Sequence, residues 1–241
     1  MAGTTAERQE QGLVDSIKNA VKKNKDNPVT LVAGKITISG VIDADKYTGR
    51  QSGGSEPYTD VVIKTTDRTF NLSCKGPTAP SLAGGGLKGL DLVVPGITSK
   101  FMKLALAALL KLNLKRGDKV PDVFGEITGT MKEKIVVGTK QMGGPIDYMY
   151  IGPMDVQGPY DAKTNTVKVN GSLFESKQYA KSHTLFFRLR ARREDQRFDP
   201  DAKDAQNTPK IYGKSPSKGD SAGRIVVTDK VPSTGVTVKL V

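Results

Sequence analysis

The chain has 241 residues, 37% hydrophobic and 26% charged, with a formal net charge of +12. That size and apolar share exclude a disordered chain and allow one large domain or two small ones. A single cysteine, Cys74, and a single histidine, His183, exclude an intrachain disulfide, a cysteine-based zinc site and a histidine-rich metal centre.

The excess of positive charge points to a polyanionic partner, nucleic acid first. The first residues, MAGTTAERQEQG, are polar and carry acids, so no signal peptide is expected. The longest apolar run, residues 101–112, is broken by Lys103 and Lys111. It is shorter than the roughly 20 residues a bilayer requires, so no membrane partner is expected.

In chain order, Leu13, Val14, Ile17 and Val21 recur at helical spacing and predict an amphipathic helix over residues 6–23. Residues 30–42 are β-rich, and residues 43–57 read as a loop. Residues 60–75 alternate apolar and polar side chains on both sides of a turn at 66–69, which predicts a β-hairpin. A symmetric turn sets Asp60 opposite Lys75, Val62 opposite Ser73 and Lys64 opposite Asn71. Cross-strand Cβ atoms sit about 4.5–5.5 Å apart, so a carboxylate and an ammonium then share the polar face.

Residues 77–95 are rich in Gly and Pro and read as turns around a short helix or loop. Ser99 suits the cap of a helix over residues 100–116, with Leu104, Leu106, Leu109, Leu110 and Leu112 as its core and Gly117 at its end. Strands are predicted at 123–127, 134–137, 148–151, 166–169, 185–189 and 225–227, and an exposed loop at 199–220. The expectation is a single α/β (α+β) domain over 1–241, with a core at about 6–120 and a β-rich C-terminal half at about 121–241.

The residues that carry chemistry gather on the hairpin. Pro57 stands just before Tyr58-Thr59-Asp60, and Ser73-Cys74-Lys75 follows on the second strand, then Gly76 and Pro80-Ser81-Leu82. This stretch, roughly residues 56–90, resembles the core of PD-(D/E)xK nucleases, the restriction-endonuclease-like group. That family places an acid on one strand and acid-x-lysine on the next, with a helix behind. The resemblance implies a mixed sheet with flanking helices, Mg²⁺ as cofactor, and Asp60, Ser73 and Lys75 as the catalytic set. Asp60 binds the metal, Lys75 orients the attacking water or stabilises the phosphate, and Ser73 holds a metal-bound water. Ser73 departs from the pattern, because a serine is a poor metal ligand. A second carboxylate is then needed, with Glu56, Glu10 and Asp15 as candidates. An Asp60–Lys75 salt bridge on a half-exposed hairpin is the competing explanation of the same residues.

Two further features suit a phosphate backbone. Gly84-Gly85-Gly86 with Lys88 presents backbone N–H groups beside a cation, although no P-loop motif follows. The run from Phe186 to Arg193 sets Arg188, Arg190 and Arg192 on one face of a strand, with Arg193 beside them. Guanidinium groups about 6.6–6.8 Å apart match successive phosphates. A solvated edge strand with internal ion pairs to Glu194 and Asp195 is the alternative.

The stretches APSLAGGGL, GGPIDYMYIGPMDV and FRLRARREDQ resemble uncharacterised proteins of T-even-like tailed phages. Together the resemblances imply a phage-encoded, metal-dependent DNA endonuclease or nuclease-like DNA-binding protein in the host cytoplasm, acting as a homodimer or with other phage proteins. The alternative is a non-catalytic virion structural or assembly protein, or a DNA-packaging accessory.

Overall fold

In a computed structural model of the chain, the residues described are 5–48, 57–77, 86–190, 197–198, 214–215, 219–220, 224–229 and 235–240. The first elements are α1 (Thr5–Lys23), β1 (Val29–Ala33), β2 (Ile36–Lys46), β3 (Val61–Thr65) and β4 (Thr69–Lys75). Then come α2 (Gly86–Val93), α3 (Ile97–Leu110), β5 (Val123–Ile127), α4 (Thr130–Val137) and β6 (Tyr148–Ile151). The chain continues with β7 (Tyr160–Asp161), β8 (Thr166–Val169), β9 (Ser172–Glu175), α5 (Ser176–Ser182) and β10 (Leu185–Arg190). The short strands β11 (Lys214–Ser215), β12 (Gly219–Asp220), β13 (Arg224–Thr228) and β14 (Val236–Val238) follow. The fold is mixed α/β, with a multi-stranded sheet and flanking helices. It divides into two compact units, residues 1–80 with 133–182 and residues 81–132 with 183–241. These boundaries cut across the halves distinguished by composition.

The first unit holds an eight-stranded sheet in the order β7-β8-β1-β2-β3-β4-β6-β9. Strands β1 to β4 form an antiparallel meander, and β6 then pairs parallel to β4. Helix α1 lays the predicted stripe of Leu13, Val14, Ile17 and Val21, with Ala20 beside it, on this sheet; all are buried, against Leu31, Val41, Ile63, Leu72 and Tyr150 among others. Each large aliphatic side chain so buried contributes about 1.5–3 kcal/mol. Lys18 on α1 also reaches Asp45 at 2.7 Å, and Lys64 on β3 reaches the same carboxylate at 2.7 Å. Those two hydrogen bonds lower the Asp45 pKa to about 2.

Strand β2 runs on to Lys46 inside the stretch expected to be a loop. Its Asp43, Asp45 and Lys46 pair with Lys64, Val62 and Val61 of β3. Residues 134–137 are helical, as part of α4, where a strand was expected. The run Ile135-Val136-Val137 is too short for its period to separate the two, and all three side chains are buried. Gly129 and Gly138, at φ +59° and +76°, bracket the helix with left-handed backbone.

The second unit is built on a four-stranded sheet, β13-β10-β5-β14. Helix α3 covers it, and the Phe101 and Phe187 rings meet at 5.5 Å between centroids. Phe101 lies so close to Gly125 that an added Cβ would stand 2.9 Å from its ring. The helix starts three residues before its predicted first residue, at Ile97. Asp91 of α2, not Ser99, accepts the Thr98 backbone N–H at 3.0 Å, and its other oxygen accepts the Thr98 hydroxyl. The helix stops at Leu110, and Asn113 takes a left-handed φ of 51°. Phe101, Met102, Ala105 and Leu109 are therefore the buried stripe, whereas Leu110 and Leu112 are 59% and 42% exposed. Within the predicted loop at 199–220, β11 and β12 form a small two-stranded ladder, and the rest lies outside the described residues. No helix among the described residues is long and apolar enough to cross a membrane.

Gly138 carries two constraints at once: its φ is +76°, and an added Cβ would stand 2.2 Å from the buried Tyr58 ring. Gly138→Ala is expected to destabilise the protein by about 2–4 kcal/mol, read as a lower urea midpoint; an unchanged midpoint would contradict this packing.

Candidate functional site

The hairpin forms as a pair of strands, but its register differs from the symmetric expectation. Val61 pairs with Leu72, Val62 with Asn71, Ile63 with Phe70 and Lys64 with Thr69. The cause is Thr65. Its backbone N–H donates to Arg68 O at 2.8 Å, and its hydroxyl accepts the Arg68 N–H at 3.1 Å. The turn therefore closes one residue earlier on each side, at Thr65 to Arg68. The shift is even, so every side chain keeps its face. It moves Asp60 opposite Ser73 rather than Lys75, and Val62 opposite Asn71 rather than Ser73.

Asp60 is held from several sides. Its N–H donates to Leu72 O at 2.8 Å, and its carbonyl accepts the Tyr47 N–H at 2.9 Å. The residues before it are anchored as well: the Tyr58 N–H donates to Met142 O at 2.8 Å, and the Thr59 hydroxyl donates to Gly143 O. The Asp60 Oδ2 accepts the Ser73 hydroxyl at 2.9 Å and the Cys74 N–H at 2.6 Å. Ser73 is buried, and its hydroxyl donates to Asp60 and aims that carboxylate.

The first turns of α1 close the site. Gln9 is buried, and its Nε2 donates to the carbonyls of Lys75, Gly152 and Pro153 at 3.1, 2.8 and 3.2 Å. One amide group thereby joins the helix to the C-terminal ends of the parallel strands β4 and β6. The next residue, Glu10, meets Lys46 with Oε2 and Nζ 2.9 Å apart. Lys46 is the residue before Tyr47, whose N–H is already bonded to Asp60. Glu10, Lys46, Asp60, Ser73, Cys74 and Lys75 are therefore gathered at one end of β2, β3 and β4.

Their electrostatics agree with that geometry. Burial raises the Glu10 pKa, the Lys46 hydrogen bond opposes it, and the Asp60 charge raises it further. Burial pushes the Cys74 thiol well up, and Asp60 and Glu10 add to the rise while Lys75 and Lys46 oppose it. Cys74 packs against the core of the sheet, where burial disfavours its thiolate.

Of the candidate second acids, Glu10 is near enough to Asp60 for that charge to add to the rise in its pKa. Asp15 instead accepts the Gln11 amide at 2.8 Å on the exposed side of α1, and Glu56 lies outside the described residues. No group of three or more His, Cys, Asp or Glu among the described residues is arranged to hold a metal. Two carboxylates nevertheless suit a hard divalent cation, because Mg²⁺ keeps several of its waters and takes one or two protein carboxylates.

The arginine run forms β10, with Phe187 and Leu189 buried and Arg188 on the opposite face, as the alternation requires. The strand is interior, between β13 and β5. Arg188 is engaged by Asp122, whose Oδ2 accepts Nε at 2.8 Å and Nη2 at 2.5 Å. A phosphate at Arg188 would have to compete with that carboxylate. Arg190 ends the strand, Lys88 lies in α2, and Arg192 and Arg193 fall outside the described residues.

Gln9 and Lys46 were not singled out in the sequence. Gln9 carries no charge and stands in no motif. Lys46 sits where loop composition hides the continuation of β2.

No family model, no curated protein and no solved structure matches this chain. The site therefore stands on its own geometry.

Because the Glu10 pKa is raised above 4.5 in the folded state, its contribution is fully present in acid and is lost as pH rises through the raised value. Glu10→Gln does not titrate. The stability of the variant relative to wild type should therefore rise between about pH 4 and about pH 7 in urea titrations. A difference that falls over that range would overturn the assignment.

Proposed function

We propose that this chain is a nuclease-like protein that binds DNA and hydrolyses phosphodiester bonds with a divalent cation, its chemistry placed at the end of the β3–β4 hairpin. One observation supports the reading: on helix α1, Glu10 meets Lys46 at 2.9 Å, and the nearby Asp60 charge is among the causes that raise its pKa. The PD-(D/E)xK resemblance and the net charge of +12 support it. So does the placement of these groups on an antiparallel meander with α1 packed behind.

In this reading Asp60 and Glu10 hold the cation, which would polarise a phosphoryl oxygen and lower the pKa of a bound water. Ser73 and the Cys74 N–H fix the Asp60 carboxylate in direction. Lys75 closes β4 at the same end and supplies a positive charge to the phosphate or the attacking water. The arginines of 188–193 contribute to holding the DNA backbone, Arg188 only by exchanging Asp122 for phosphate. The phage origin implied by the sequence resemblance places such an activity in the host cytoplasm.

A second reading has its own support. Asp60 already accepts two hydrogen bonds from its own hairpin, and Glu10 already meets Lys46. Such a satisfied cluster also suits a non-catalytic DNA-binding, packaging or virion protein that keeps the fold for structural reasons.

Cleavage of supercoiled plasmid with Mg²⁺, Mn²⁺ or EDTA separates the two. The nuclease reading expects cation-dependent nicking that falls at least about 100-fold in Asp60→Ala and in Lys75→Ala, with DNA retained in a gel-shift assay. DNA binding without nicking under any cation supports the non-catalytic reading, and nicking that survives Asp60→Ala removes this site from the chemistry.

A further inference from the structure

The positive charge of the chain is concentrated in the second unit. Residues 81–132 and 183–241 hold 20 Lys and Arg against 11 Asp and Glu, so they carry +9 of the formal +12. Within them, residues 92–117 contain four lysines and Arg116 but no acid. Helix α3 lies in this stretch and turns Phe101, Met102, Ala105 and Leu109 to the core. At about 3.6 residues per turn, Lys100, Lys103, Ala107 and Lys111 share the opposite face, and all four are exposed. From Lys100 to Lys111 that face runs about 16 Å, at about 1.5 Å per residue, which spans several successive phosphates of a DNA strand.

The turn after α3 extends the same charge. The Lys115 N–H donates to Asp118 Oδ2 at 2.7 Å, which engages the only acid of residues 111–119. The Gly117 N–H donates to Phe198 O at 2.9 Å, and the Phe198 N–H donates to Asp118 O at 2.8 Å. These bonds set Lys119 directly opposite Arg197 in an antiparallel bridge, with both residues exposed. Like charges placed opposite each other are destabilising, and an anion between them removes the repulsion. No acid among the described residues forms an ion pair with Lys100, Lys103, Lys111, Lys119 or Arg197.

We propose that the exposed face of α3 and the turn at 111–119 with Arg197 are a docking surface for the phosphate backbone of duplex DNA. This rests on the DNA-binding part of the reading above and assigns it a surface that does not include the 188–193 run. The contact is to phosphates and is independent of base sequence. Phe101, the only aromatic residue of 97–119, is buried, so this surface offers no platform on which unpaired bases stack. An anionic membrane fits it less well, because an interfacial helix inserts its apolar face and that of α3 is packed on the sheet.

The test is fluorescence anisotropy with two unrelated duplexes of about 20 base pairs, between about 50 and 200 mM salt. The full chain is compared as wild type, Lys103→Ala/Lys111→Ala, Lys119→Ala/Arg197→Ala, and a control of equal charge change in the first unit, Lys163→Ala/Lys168→Ala. Each of the first two pairs should weaken binding about tenfold or more at low salt, equally for both duplexes, and reduce the log–log salt slope by about 2. The control should match wild type. The Lys119→Ala/Arg197→Ala variant should keep or raise the urea midpoint, because it removes a repulsion. In the wild type, the duplex should protect Lys103, Lys111 and Lys119 from reductive methylation, a readout independent of any variant's folding.

Duplex binding with unchanged affinity and slope in both pairs, and no protection of these lysines, overturns the inference and leaves DNA binding elsewhere on the chain standing. An equal loss in the control overturns it as a general charge effect. Variants that lose binding to phosphatidylserine vesicles but keep the duplex assign the surface to lipid instead. No duplex binding by the wild type overturns the inference together with the DNA-binding reading.

Discussion

The organisation of the site depends on one buried amide. Gln9 gives its two N–H protons to three carbonyls at the ends of β4 and β6, and so sets the position of α1 along the sheet. The apolar stripe of α1 fixes which face the helix presents, but hydrophobic contact is not directional and tolerates sliding. Hydrogen bonds to defined carbonyls are directional. Moving the helix by a turn would leave a buried amide without acceptors, which costs about 1–3 kcal/mol. Because Gln9 is fixed, Glu10 beside it is fixed too, and it meets Lys46 at 2.9 Å.

The charges at this end of the sheet are balanced in a way that a stability argument alone does not require. A carboxylate with a raised pKa pays for its ionisation, and Glu10 does so because of burial and the like charge of Asp60. By contrast, the exposed network of Lys18, Asp43, Asp45 and Lys64 holds Asp45 low, as an ion pair that favours the folded state does. A carboxylate raised in this way occurs in binding sites and in structural ion-pair networks alike. The hydrogen bonds to Asp60 are compatible with either role, since a fixed carboxylate serves both a hairpin and a cation.

The elements that follow from side-chain period were legible in the sequence. The stripe of α1, the strands at 148–151 and 166–169, and the facing of Phe187 against Arg188 all come from the alternation or helical spacing of named residues. The hairpin was legible as a pair of strands, but its register was not, because a threonine hydroxyl decided where the turn closed. The start of α3 was misread for a similar reason. Ser99 is a good capping residue, but the helix begins at Ile97, where Asp91 of the neighbouring helix accepts the Thr98 N–H of its first turn. Residues 134–137 carry no period long enough to separate helix from strand. The placement of Glu10 depends on its uncharged neighbour Gln9 bonding carbonyls 66 to 144 positions away, and no local pattern announces it. Arg188 was legible as a surface-facing arginine on a strand, whereas its partner Asp122 lies on a different part of the chain.

The central claim is that Glu10 and Asp60 share one electrostatic site. The most direct measurement is the Glu10 titration curve by carboxyl ¹³C nuclear magnetic resonance, in wild type and in Asp60→Asn. Removing the Asp60 charge should lower the Glu10 pKa, because that charge is one of the causes that raise it. A Glu10 pKa that is unchanged in Asp60→Asn would contradict the account and leave the two carboxylates as unrelated features of the surface.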